Sequence, residues 1–434
     1  VPAALPPRRP RTTLRRRTVS LACCATALLP LLSGCVPGLE EGQGPSRGTI
    51  LYIAVGLETV PDLATELERQ KQMRTQLRQL QTSFRDVQPG VHLELMVFNN
   101  ERFVREIERR TRSGLAPDLM LVDGITAERL YERQLTTPIS DPNPARGLLK
   151  PEVIPYVQAG PRQWFAVPVG LQPQLACFDR SRLPQSPGTM TALLEASSRG
   201  HTFGLDLDII NLTWTLGSLG ALRSIAQVRS GAPVDPEQIG PIQTWLGWLR
   251  NADLQQRITL VGSQGELVEG LRMGRFDWIP CHSRDASQLR LSLGAKLGLA
   301  PLPSGPGGQA TPISIVRVWA FGRNSSPNQH KAAQALVRFS LNPPVQRAFT
   351  IRTQGLLPVS RAATLPTASS ANLAALIAAQ AEASAAQELT ESLIALRTER
   401  KPLNRILTRF RYGELNPPEA ARALIAAMRR LPHE

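Results

Sequence analysis

Between Thr49 and Gly124 the chain alternates three short apolar runs with two amphipathic stretches, and this alternation restricts the fold more than any other feature. Thr49 to Val55 (TILYIAV) is β-rich and apolar, the pattern of a buried strand. Pro61 opens a helical stretch in which Leu63, Leu67, Met73, Leu77, Leu80 and Phe84 recur at spacings near multiples of 3.6. Pro89-Gly90 ends it. Val91, Leu93, Leu95 and Val97 alternate, so 91–98 reads as a strand. Phe103, Val104 and Ile107 predict a helix over 101–113, and 119–122 reads as a third strand ending at Asp123-Gly124. Short connections in a β-α-β-α-β series demand parallel strands and right-handed crossovers, hence a doubly wound α/β domain. Ligands of such sheets bind beyond the carboxyl ends of the strands. That singles out the loops around Leu57-Glu58, Asn99-Asn100 and Asp123-Gly124.

With 434 residues the chain has room for a second domain of similar size. Residues 163–183 (QWFAVPVGLQPQLACFDRSRL) read as two β-like runs broken at Gly170 to Pro173, as if a strand left one lobe and entered another. Helices are expected at 190–198, 242–250, 267–273 and 328–341, strands at 276–281 and 313–321, and a helical tail from Ala371. Trp245, Trp248 and Trp278 fit core packing.

The N-terminus reads differently. Residues 1–34 carry six arginines and no acid, and Val19 to Leu32 is an apolar stretch too short to span a bilayer comfortably. This predicts a signal peptide over 1–34. It closes on Leu32-Ser33-Gly34-Cys35, which is similar to a bacterial lipobox, with Cys35 as the lipidated residue and 35–48 as a Gly- and Pro-rich tether. Of the five cysteines only Cys177 and Cys281 then remain in the folded part. They could pair in an oxidising compartment; the favoured reading is two small buried hydrophobes in strands.

Net charge is +15, but the basic residues are scattered rather than clustered, which argues against a nucleic-acid surface. The five histidines show no metal-ligand spacing, and no nucleophile elbow or phosphate loop is present. Cys281, His282 and Asp285 are near one another, yet a nucleophile also needs an orienting group and an oxyanion site. No cofactor, no metal and no enzymatic activity is expected.

Several segments, in order, carry a family resemblance: FRDVQPGVHLELMVF (84–98), APDLMLVD (116–123), FAVPVGLQPQLACFDRSRL (165–183), LVEGLRMGRFDWIP (267–280), APLPSGPGG (300–308), VWAFGRNSSPNQHKAAQALVRFSLNPPVQRAF (318–349), TQGLLPVSRA (353–362) and YGELNPPEAARALI (412–425). Together they resemble family 1 bacterial extracellular solute-binding proteins, the maltose-binding-like receptors of ABC importers. The resemblance implies a two-lobed, type II-like periplasmic-binding-protein fold with doubly wound sheets and a hinge. Its lobes would be 49–168 with 302–354, and 169–301 with 355–434. Hinges would fall near Pro168 to Gln172, Leu299 to Pro301 and Gly355 to Leu356.

The implied function is a monomeric, lipid-anchored receptor on the extracytoplasmic face. It would bind a carbohydrate or related small polar solute between the lobes and present it to the transmembrane permease subunits. A solute-binding sensor or scaffold uncoupled from transport is the alternative reading, and a cell-surface enzyme using Cys281 and His282 a further one. Carried over by position, the cleft would be lined by Glu58, Asp123, Gln172, Trp214, Arg284 and Trp319. Glu58 could instead be a helix N-terminal acid, Asp123 an Asx-turn residue, Gln172 a hinge residue bonding backbone, and either tryptophan part of the core. Arg284 stands near where the family often has an aromatic that stacks on sugar; its planar fork suits a carboxylate or phosphate, which points to a smaller or acidic sugar-like solute, and it could equally hydrogen-bond sugar hydroxyls or pair with Asp285.

Overall fold

The apolar run at Thr49 forms β1 (Thr49–Leu57), and the Pro89-Gly90 break separates α1 (Leu63–Val87) from β2 (Val91–Asn99). α2 (Asn100–Arg112), β3 (Leu119–Asp123) and α3 (Gly124–Glu132) follow. β1 pairs in parallel with β2 on one side and β3 on the other, as the short crossovers demand. This computed structural model describes residues 48–57, 63–140, 143–231, 236–395 and 400–431. The expected signal peptide, Cys35, most of the tether and Glu58 lie outside the described residues.

A short β4 (Thr136–Thr137), α4 (Asn143–Arg146) and a hairpin of β5 (Gln158–Gly160) with β6 (Gln163–Trp164) lead into β7 (Val167–Asp179). Next come α5 (Met190–Ser198), β8 (Phe203–Asp206), α6 (Thr213–Ser218), α7 (Leu222–Arg229) and α8 (Pro236–Asp253). β9 (Ile258–Val261), α9 (Gln264–Arg272), β10 (Trp278–His282), α10 (Ser283–Leu293) and β11 (Leu297–Ala300) complete this part. The chain then runs through β12 (Ser314–Gly322), α11 (Pro327–Ser340) and α12 (Pro343–Thr353). It ends in α13 (Ala371–Ala385), α14 (Gln387–Ala395), α15 (Lys401–Arg411) and α16 (Pro417–Arg430). No helix among the described residues is long and apolar enough to cross a membrane.

β7 is one continuous strand rather than two runs broken at Gly170 to Pro173. Its first half pairs antiparallel with β12, as far as Pro173 opposite Ser314. From Gln174, opposite His282, it pairs with β10 and β11 instead. The register against β12 shifts between Arg317 and Val318, so a bulge takes up the irregularity that proline and glycine bring to a strand. The strand order β2-β1-β3-β12-β7-β10-β8-β9 is therefore two half-sheets sharing one crossing strand.

Alternation along β7 divides the interior. Leu175 and Cys177 enter a core that also holds Leu51, Phe84, Val122 and Trp319. Ala176 and Phe178 point the other way, into a core with Trp214, Trp245, Trp278 and Phe410. Each fully buried large side chain contributes roughly 1.5–3 kcal/mol of transfer free energy.

Cys177 and Cys281 are fully buried strand residues, but the reading of two separate thiols is corrected: their sulfurs are bonded, with Cα atoms 5.8 Å apart. Cys177 lies opposite Ile279, so Cys281 stands two residues along the neighbouring strand with its side chain on the same face. The pair spans 104 residues of sequence, a separation that hides it from inspection of the chain.

Candidate functional site

The carboxyl ends of β1 and β3 meet the start of α2. Asp123 caps α3: its Oδ1 accepts the Thr126 N–H at 3.0 Å, and its Oδ2 accepts from Asn100 Nδ2 at 3.0 Å. Asn100 lies so close to Gly56 that a Cβ there would come within 2.4 Å of Asn100 Oδ1, so a larger residue at 56 would displace the Asn100 amide. Among the described residues Asn100 Oδ1 is buried and accepts no hydrogen bond. On β12, Arg317 turns its guanidinium under the same strand ends, Nη2 donating to the carbonyls of Gly56 (3.1 Å) and Leu121 (3.0 Å).

α10 faces these groups from the other half-sheet. It begins immediately after β10, where the His282 N–H donates to Asp285 Oδ2 at 3.3 Å. Arg284 Nε lies 3.9 Å from Asp285 Oδ1, too far for a tight pair. Ser283, Ser287 and Arg290 form an i, i+4, i+7 row on this helix. Ser283 Oγ donates to the Gly355 carbonyl at 2.9 Å, Ser287 to that of Thr353 and Arg290 to that of Arg352. The row thus ties α10 to the end of α12.

A cavity of about 170 Å³ occupies the space between these strand ends and α1, α10 and α12. Asp123, Gln172, Arg284 and Trp319 all line it. Trp319 does so with little surface: it is 1% exposed, and its Nε1 donates to Ser340 Oγ at 3.1 Å, so most of the ring is core. Trp214 does not line the cavity and is corrected to a core residue. It is wholly buried on α6, its ring edge-on to Trp278 with centroids 6.2 Å apart. Glu58 lies outside the described residues. Asn100 and Arg317 also line the cavity but were not among the six candidates. A strand period of two, applied to Ile315, Arg317 and Trp319, puts all three on one face and would have found Arg317.

At the carboxyl ends of β8 and β10 lies a polar chain whose members are buried except for the half-buried Asn211. His282 Nε2 is 3.1 Å from Asn211 Oδ1, Asn211 Nδ2 donates to Asp206 Oδ2, and Gln174 Nε2 donates to the Asn211 carbonyl at 2.8 Å. Burial, reinforced by the charge of Asp208, pushes the Asp206 carboxyl up to about 7. The Cys281 sulfur belongs to the disulfide and Asp285 caps α10, so the suspected Cys-His-Asp chemistry has no thiol to act through. Among the described residues no group of three or more His, Cys, Asp or Glu could hold a metal ion.

Two α/β half-sheets sharing a crossing strand, with a pocket lined from both, define a two-lobed binding protein. The chain belongs to a family described as bacterial extracellular solute-binding protein, whose sequence model matches residues 89–379. Membership makes it an extracytoplasmic protein that binds a solute rather than transforming one. No curated protein matches the sequence significantly. Among solved structures it is similar to the GacH receptor of Streptomyces glaucescens, described unliganded and with acarbose; the TM-score is 0.67 at 16% identity, covering 88% of this chain and 98% of that one. The maltose-maltodextrin binding protein of Alicyclobacillus acidocaldarius gives 0.63 at 15% identity, covering 88% and 100%. UgpB from Mycobacterium tuberculosis, in complex with glycerophosphocholine, gives 0.63 at 14% identity, covering 82% and 94%. At these identities the likeness establishes the fold.

Proposed function

We propose that this protein is the lipid-anchored, monomeric receptor of an ABC importer. It binds a carbohydrate or related small polar solute between two lobes and presents the closed form to a membrane permease. The lobes are 49–168 with 302–354, and 169–301 with 355–434, and Cys35 carries the lipid. The observation that carries this reading is the cavity in which Asn100, Asp123 and Arg317 from one half-sheet share a lining with Arg284 from the other. A solute touching both sides stabilises only the closed arrangement, which is how a ligand shifts a hinge equilibrium. Family membership and the acarbose, maltodextrin and glycerophosphocholine ligands of similar structures support the solute class.

The test is a thermal-shift screen of sugars, sugar phosphates and polyols on the soluble body, followed by small-angle scattering with each hit. The expected result is a stabilising ligand that shrinks the radius of gyration. No stabilisation by any compound at millimolar concentration would overturn the solute class, and a hit that leaves the shape unchanged would overturn the closing receptor. Replacing Cys35 by serine in cells should release the protein from the membrane fraction.

A further inference from the structure

Away from the Asn100–Asp123 corner the cavity wall is built on two apolar rows, with Gln76 of α1 and Gln346 and Thr350 of α12 set among them, the last two donating to the backbone carbonyls of Val169 and Leu356. From α1, Met73, Leu77 and Leu80 form an i, i+4, i+7 apolar row along its wall. Val345 and Phe349, at i and i+4, supply the facing row from α12, and Leu356 closes the corner beside Gly170. Of these six only Leu77 is fully buried; the others keep part of their apolar surface accessible. Aromatic platforms for a sugar face are scarce here: Trp319 is core, and Trp164, Trp214, Trp245 and Trp278 are fully buried.

We propose that the protein's solute is amphipathic. A hydrogen-bonding head sits among Asn100, Asp123, Gln172 and Arg284, and a short aliphatic portion lies between the apolar rows of α1 and α12. This rests on the receptor reading and deepens it by naming the ligand class. Size sets the limit on the aliphatic part. An apolar cavity of about 150 Å³ holds a benzene molecule, so about 170 Å³ shared with the head leaves room for an aliphatic part of roughly three or four carbons. Leu356 cannot retreat toward β7 without Gly170, because a Cβ at 170 would meet its side chain at 2.3 Å. Residue 170 is thus small where the apolar corner needs depth.

The experiment is calorimetric titration with n-alkyl β-D-glucosides from methyl to hexyl, with the matching n-alkanols as a head-free arm. Each buried methylene is worth about 0.8 kcal/mol, or about fourfold in affinity. Glucoside affinity is expected to rise about fourfold per methylene over the short chains and to level off before hexyl, with each alkanol weaker than its glucoside. Val345→Trp, which fills the apolar end without adding a charge, should flatten that rise. Phe349→Ser should reduce it, with circular dichroism confirming that both variants are folded. Affinity that does not change from methyl to hexyl overturns the aliphatic subsite. If a plain sugar still closes the lobes in that case, the receptor reading stands and only this inference falls. Silence of every glucoside, alkanol, sugar and polyol overturns both. A rise that survives unchanged in folded Val345→Trp also overturns the inference, because the chain would then lie elsewhere.

Discussion

Ser283 Oγ donates to the carbonyl of Gly355 at 2.9 Å, and both residues are buried. The bond joins the helix that follows β10 to the segment leaving α12, where the polypeptide turns back to meet β7. Two facts make the contact sensitive. The carbonyl loses its partner if Ser283 is truncated, and a Cβ on Gly355 would approach the Ser283 carbonyl oxygen to 3.0 Å. Ser283→Ala is expected to cost about 1–3 kcal/mol, the penalty for an orphaned buried acceptor. Gly355→Ala should cost about the same through overpacking against backbone that cannot swing aside. Urea unfolding midpoints at a constant m-value check both. An unchanged midpoint in either variant would mean that this contact is looser than described.

The disulfide carries a separate prediction. Its loop of 104 residues restricts the unfolded chain strongly, and removing native disulfides typically costs about 2–5 kcal/mol. Cys281→Ser additionally leaves an unbonded thiol and a hydroxyl at positions with no solvent contact. The single variant is therefore expected to be less stable than the Cys177→Ala, Cys281→Ala double variant, although it changes fewer residues. Guanidinium unfolding of the three proteins orders them. Thiol titration of the denatured, unreduced chain from residue 36 onward should find no free cysteine; two free thiols would refute the bond.

Asp206 makes stability depend on pH in an unusual direction for an acid. Its carboxyl is held up to about 7 by burial first and by the neighbouring Asp208 second, against the opposing hydrogen bond from Asn211 and the charge of Arg400. Unfolded, it titrates near its ordinary 3.8. Between about pH 4 and 7 the folded state therefore holds a proton that the unfolded state has lost. The linkage relation makes this contribution favour folding at the acid end and fade as pH climbs to about 7. Glu382, pushed up to about 7 by burial alone, acts with the same sign. Asp206→Asn should shallow the fall in unfolding free energy between pH 4.5 and 7.5, leaving the share due to Glu382. Parallel profiles for variant and parent would show that Asp206 is ionised in the fold.

The first half-sheet was legible because β1, β2 and β3 are separated by helices of clear period, so periodicity alone placed the strand ends where Asn100 and Asp123 meet. β7 was harder. Gly170 to Pro173 read as a break between two β-like runs, because no local signal tells a strand that ends from a strand that changes partners. Trp214 was misplaced for a related reason. α6 is six residues long, too short for its apolar pattern to say which face is inward. The second side of the site had no signature. Met73 and Phe349 are ordinary helix residues until α1 and α12 are brought within one cavity, and that proximity is set by tertiary packing across 276 residues of sequence.

Asp123 has a structural duty and an assigned one, and a single substitution separates them. As cap of α3 its Oδ1 takes the Thr126 N–H, a task asparagine performs about equally well. As a ligand contact it offers a charged acceptor at the polar end of the cavity, and charged hydrogen bonds are roughly twice as strong as neutral ones. Asp123→Asn keeps the cap and removes the charge. If the carboxylate grips solute hydroxyls, the variant should stay folded, losing about 1 kcal/mol with the bond that Oδ2 accepts from Asn100, yet bind the best solute of the screen about tenfold or more weakly. Asp123→Ala should lose the cap as well, with about 1 kcal/mol of stability beyond that of Asp123→Asn going with it. A folded Asp123→Asn variant with parental affinity would reduce Asp123 to a helix cap and shift the polar end of the site to Asn100, Gln172 and Arg284.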